Sequence, residues 1–90
     1  MRETPLVLTN RLGLHARAAA KLVRAAKAFE STIILEDDSG RQADAKSILS
    51  ILAIAAAKGT ALRLTVNGTD EDKAIREISS LFEEKFGEDR

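Results

Sequence analysis

Asn10-Arg11-Leu12-Gly13-Leu14-His15-Ala16-Arg17-Ala18-Ala19-Ala20 is the stretch on which the reading of this 90-residue chain turns. It holds the only histidine. A Gly-containing connection precedes that residue, and Ala16 to Phe29, a run dominated by strong helix formers, follows it. A helix opening at Ala16 leaves the N–H groups of Ala16, Arg17 and Ala18 without helical partners, beside the imidazole. Such an opening turn, at the positive end of a dipole, receives anions. Arg17 adds a guanidinium whose fork fits phosphate oxygens. A nucleophilic ring nitrogen, an N–H cradle and a fixed cation within three residues point to phosphoryl chemistry on His15.

Elements on either side follow from periodicity. Pro5–Thr9 is apolar and β-favouring and predicts a first strand, ended by Asn10. In the helix 16–29, Ala19, Leu22, Val23, Ala26 and Phe29 share one face, while Arg17, Lys21, Arg24 and Lys27 form a basic stripe on another. Thr32–Glu36 and Arg41–Ala43 are strands joined by the turn Asp37-Asp38-Ser39-Gly40. A short helix, Ser47–Ala55, is expected to close near Lys58-Gly59 with glycine as its stop. Thr60–Val66 alternates, with Leu62, Leu64 and Val66 facing inward. Thr69-Asp70-Glu71-Asp72 predicts the cap of a last helix, lined on its inner side by Ala74, Ile75, Ile78, Leu81, Phe82 and Phe86. Gly87 to Arg90 reads as a frayed tail. The order β-α-β-β-α-β-α gives an α+β single domain over residues 1–90, with three helices on one face of a four-stranded sheet.

Composition narrows the function. The chain has no cysteine, so it has neither a disulfide nor a thiolate metal site, which suits the cytoplasm. Its first residues lack the apolar core of a signal peptide, and the run Ile48–Ala57 is far short of the roughly 18 residues of a membrane span. Neither membrane insertion nor a cofactor is expected, and one histidine offers no metal-ligand cluster. The net charge of zero hides a polarity: residues 1–30 carry +4 and residues 70–90 carry −4. That favours a directional encounter with an acidic protein surface. Three phenylalanines, with no Tyr or Trp, leave little to stack on nucleic-acid bases.

Ser47 is a fitting N-cap. On the helix it opens, Ile51, Ile54 and Ala55 can share the buried side, which turns Ile48, Leu49 and Leu52 outward. With Arg17, Lys21, Arg24 and Lys27 these form an apolar centre with a basic rim, the expected docking face.

Gly13-Leu14-His15-Ala16-Arg17 resembles the active-site signature of the HPr family, histidine-containing phosphocarriers of the bacterial phosphoenolpyruvate:sugar phosphotransferase system. Ala45-Lys46-Ser47-Ile48-Leu49 matches that family's regulatory serine site, and the order of elements fits from end to end. The resemblance implies an open-faced β-sandwich with an antiparallel sheet. It also implies a phosphoryl carrier, not a turnover enzyme. His15 would be the phosphorylated nucleophile, attacking through Nδ1, with Arg17 and the backbone of Ala16, Arg17 and Ala18 stabilising the phosphate. Enzyme I would be the donor, enzyme IIA the acceptor, and HPr kinase/phosphorylase the modifier of Ser47, with the carrier itself a monomer. One departure is Ala18, where the family usually has proline, which leaves the helix start less stiff. Two other readings stay open: a nitrogen-related or purely regulatory paralogue, and a small protein- or RNA-binding module with an inert histidine.

Overall fold

The computed structural model describes residues 1–88. Asp89 and Arg90, assigned above to the tail, lie outside them. The elements are β1 (Arg2–Val7), α1 (Ala16–Lys27), β2 (Thr32–Glu36), β3 (Gln42–Asp44), α2 (Ile48–Ile54), β4 (Ala61–Asn67) and α3 (Glu71–Glu83), followed by a single 3₁₀ turn at Lys85–Gly87. The strands form one antiparallel sheet in the order β1-β4-β2-β3. β1 is an edge strand, which is where Pro5, having no N–H for a second neighbour, can be accommodated.

Alternation along the strands assigns the faces. Leu62, Leu64 and Val66 of β4 are buried as expected, with Ile33 paired to Val66 and Leu35 to Leu64 on the same side. The three helices cover that side. α1 contributes Ala18, Ala19, Leu22 and Ala26, α2 contributes Ile51 and Ile54, and α3 contributes Ala74, Ile75, Ile78 and Phe82. Ala18 belongs to the core and Val23 is half-buried, a rotation of the expected helix face by part of a turn. The architecture is the predicted open-faced sandwich.

Several boundaries differ from the sequence reading, each for a tertiary reason. β1 begins and ends earlier than expected, because Leu8 leaves the ladder to bond with the α2–β4 connection: its N–H reaches Thr60 O at 3.0 Å and its carbonyl accepts from Gly59 N at 2.7 Å. α2 ends not at glycine but at Ala55, a left-handed alanine with φ 52° and ψ 39°. The chain reverses there so that Ala56 O can accept from Leu14 N at 3.0 Å, and Arg41 Nη2 closes the free carbonyl of Ile54 at 3.1 Å. Ala55 is therefore exposed rather than buried. The cap of α3 is Asp70, not Thr69, and its carboxylate serves another element. It accepts from Glu30 N, Ser31 N and Ser31 Oγ, at 2.9, 3.0 and 2.5 Å, and ties the start of β2 to α3. Glu71 reaches back to Gly68 N instead (3.0 Å).

The described part of the supposed tail is ordered by packing. Lys85 and Phe86 both have φ 56°, so the chain doubles back after α3. The Phe86 ring is fully buried and meets Phe82 edge-on at 4.9 Å. This reversal carries Glu88 to the start of α1.

Candidate functional site

The loop between β1 and α1 is held from inside. Asn10, fully buried, donates through Nδ2 to Gly13 O at 2.8 Å, and its own carbonyl accepts from Gly13 N at 3.2 Å. Gly13 has φ +67°, and a Cβ there would lie 2.4 Å from Ala56 O. Only glycine lets the two loops approach so closely. Leu14 fills the core beneath and is 3% exposed, so the next side chain, His15, must turn outward.

His15 is the N-cap of α1, with extended backbone at φ −78° and ψ 177°. The first helical bond runs from Ala19 N to His15 O at 2.8 Å. The N–H groups of Ala16, Arg17 and Ala18 consequently have no helical acceptor, and no other backbone acceptor takes them among the described residues. No acidic side chain occupies the first turn, and the His15 side chain makes no capping bond. The imidazole is about one-quarter exposed. It opens on a shallow cavity of about 670 Å³ that Arg11, Leu12, Arg17, Lys21 and Glu88 also line.

Glu88 is the contact that the sequence did not announce. Its Oε2 lies 2.5 Å from His15 Nε2, and its Oε1 accepts from Asn10 Nδ2 at 3.1 Å. These hydrogen bonds, from His15 first and Asn10 second, hold its carboxyl below the usual glutamate range, and the charge of Lys21 adds to the effect. Asn10 Nδ2 thus meets two acceptors, and Asn10 Oδ1 is left buried without a partner among the described residues. Exchanging the amide's O and N would set oxygen against both acceptors, so the orientation is decided. Among the described residues His15 Nδ1 makes no hydrogen bond.

The remaining candidates fall into two groups. Arg17 is exposed and shares the cavity with His15. Lys21 is half-buried and lines the same cavity, and its Nζ donates to Phe86 O at 2.6 Å, so its ammonium also braces the doubled-back segment. Arg24 and Lys27 are exposed farther along α1 and do not line the cavity. Ser47 caps α2, its side chain accepting from Ser50 N at 3.3 Å. Leu49 is 77% exposed, Ile48 is exposed to a lesser degree, and Leu52 is half-buried against the core. Leu12, 66% exposed, lines the cavity beside the histidine and puts an apolar side chain there. Its position in a polar loop gave no periodic signal. In the sequence Asn10 marks only the end of a strand, and nothing local marks Glu88, which lies 73 positions from its partner.

No helix is long and apolar enough to cross a membrane among the described residues. Residues 2–84 match the family model described as the PTS HPr component phosphorylation site. The chain is 46% identical over 89 residues to a phosphocarrier protein HPr of Xylella fastidiosa, covering 99% of each. It is 35% identical over 82 residues to the phosphocarrier protein NPr of Escherichia coli, covering 91% of each. The crystal structure of HPr-C-His from Thermoanaerobacter tengcongensis is similar over the full length of both chains, with 39% identity and a TM-score of 0.95. The chain belongs to the HPr family, phosphocarriers of the phosphotransferase system and not turnover enzymes.

Proposed function

We propose that this carrier takes its phosphoryl group on His15 from enzyme I and passes it to an enzyme IIA. The observation that carries the reading is the partly exposed imidazole at the opening of α1. It stands next to three N–H groups without helical acceptors and shares its cavity with Arg17. A lone pair on the ring attacks phosphorus, and the helix dipole and guanidinium compensate the charge brought in. A cation in a first helical turn is locally unfavourable, which makes sense for Arg17 if an anion visits the site. The resulting P–N bond leaves the imidazole as a good leaving group, as onward transfer needs. If His15→Ala still acquired phosphate from enzyme I and phosphoenolpyruvate, the assignment would fail.

The docking face combines Ile48, Leu49 and Leu52 with the basic residues Arg17, Lys21, Arg24 and Lys27. Phosphorylation of Ser47 by an HPr kinase would add a charge of about −1.5 to −2 at the edge of that face. It would repel an acidic partner without unfolding α2, since a phosphate is favoured at a helix start. Equal rates of phosphotransfer from enzyme I to wild type and Ser47→Asp would remove the regulatory role. The likeness to NPr supports a second reading, a nitrogen-related or purely regulatory carrier with another acceptor. Supplying phosphorylated protein to sugar-specific and nitrogen-related enzyme IIA homologues separates the two by which one accepts.

A further inference from the structure

We propose that Glu88 is a positioning residue: by accepting the Nε2 proton of His15 it leaves Nδ1 as the ring's free lone pair. The inference rests on His15 being the phosphorylated residue. An ionised carboxylate only accepts hydrogen bonds, so with Glu88 Oε2 at 2.5 Å the hydrogen belongs on Nε2. In the neutral ring the nucleophilic lone pair is then on Nδ1. A solvated imidazole is free to exchange tautomers, whereas this one faces an acceptor that is itself held. Glu88 Oε1 is bound by Asn10 Nδ2 at 3.1 Å, and Asn10 is buried and braced by Gly13 O. Behind Glu88 the main chain is anchored by the buried Phe86 ring and by Lys21 Nζ on Phe86 O. Two consecutive left-handed residues, Lys85 and Phe86, turn the chain back. Side-chain-bearing residues adopt that conformation only where surrounding contacts over-determine it.

Glu88 could instead be imagined as a stand-in for the phosphate. Its bonds argue otherwise. Both oxygens are committed to His15 and Asn10, and neither meets Arg17 or the N–H groups of Ala16, Arg17 and Ala18. The carboxylate holds the ring's other nitrogen and leaves the phosphate's donors unengaged. It is also the one acid lining the cavity among the described residues, facing Arg11, Arg17 and Lys21.

The transfer step balances without a proton moving. The Nδ1 lone pair forms the N–P bond while the bond from phosphorus to the donor atom breaks, and that electron pair departs with the donor. The ring gains positive charge shared with Nε2–H, and the hydrogen bond to Glu88 strengthens as it does. Reversal delivers the group to the acceptor, with the proton still on Nε2. A carboxylate that fixes an imidazole's tautomer and steadies its cation plays the same part in other catalytic histidines.

The test pairs a spectroscopic and a kinetic reading on the full chain. Nitrogen-15 NMR of the imidazole, recorded where the ring is neutral, should show the Nε2–H form dominant in wild type and mixed tautomers in Glu88→Ala. Glu88→Gln, which keeps an acceptor but no charge, should restore most of the tautomer preference. Phosphorylation by enzyme I and phosphoenolpyruvate should slow about tenfold or more in Glu88→Ala and less in Glu88→Gln. An Nδ1–H form in wild type, an unchanged tautomer in Glu88→Ala, or a rate within twofold of wild type overturns the proposal. Wild type that takes no phosphate would sink the carrier reading itself, a different result from a tautomer that ignores Glu88.

Discussion

Replacing Gly13 by alanine probes the contact on which the histidine loop rests. Gly13 has φ +67°, a conformation that costs an L-residue roughly 1–2 kcal/mol. The new Cβ would also lie 2.4 Å from Ala56 O and 3.0 Å from Ala57 Cα, both backbone atoms that cannot rotate away. Separating the loops pulls Ala56 O from Leu14 N, now 3.0 Å apart and buried. Leaving that N–H unpaired costs about 1–3 kcal/mol. Together the loss is roughly 2–5 kcal/mol, a large share of the roughly 5–15 kcal/mol that holds a domain folded. For a domain of this size it lowers Tm by roughly 8–40 °C. Gly40→Ala is the matched control. Its φ is +88°, but no atom lies within 4 Å of the new Cβ, so only the backbone cost of roughly 1–2 kcal/mol applies. Urea and thermal unfolding followed by circular dichroism measure both. Should the two variants differ by less than about 0.5 kcal/mol, the Ala56 carbonyl does not press on Gly13 as described. Because the same loop presents His15, Gly13→Ala should also slow phosphorylation, whereas Gly40→Ala should not.

Ala18→Pro should change stability by no more than about 1 kcal/mol, since position 18 lies in a first turn and its N–H has no helical acceptor. A loss of roughly 3 kcal/mol, as in a helix interior, would mean the turn is not built that way. Burial of Asp37 pushes its carboxyl up, but hydrogen bonds from Ser39 and Arg41 outweigh this and lower it from 3.8 to about 2. With the folded value below the unfolded one, its stabilisation is complete above pH 4 or so and is lost as pH falls towards 2. Asp37→Asn should therefore flatten the acid limb of stability between pH 5 and 2, and an unaltered limb would contradict the assignment. Ser47→Ala should cost about 0.5–1 kcal/mol, the low end for a cap, because its bond to Ser50 N is 3.3 Å long. Leu49→Ala should leave stability within about 0.5 kcal/mol, the side chain being largely in water. It should nonetheless weaken complex formation with enzyme I, read from the concentration dependence of phosphotransfer.

Much of the molecule could be read from residues near one another in the chain. Alternation of Leu62, Leu64 and Val66 decided which face of β4 is inside, because strand geometry sends successive side chains to opposite sides. The 3.6-residue period did the same for Leu22 and Ala26 in α1 and for Ile75, Ile78 and Phe82 in α3. The histidine at a helix start, with three free N–H groups behind it, is likewise a local property: helix geometry alone leaves those donors unpaired.

What the sequence by itself determined was thus the set of elements, their buried faces and the placing of His15 at a helix start. Tertiary structure decided what residues distant in the chain do to one another. Asp70 left its own helix start for Ser31, Ala55 went left-handed so that Ala56 could meet Leu14, and Phe86, by burying its ring, swung Glu88 onto the imidazole. Propensity and period act over a few residues, whereas a carboxylate or carbonyl bonds to whichever donor packing brings within about 3 Å. The hold on His15 Nε2 is settled by where α3 lies against α1, and no stretch of sequence around either residue encodes it.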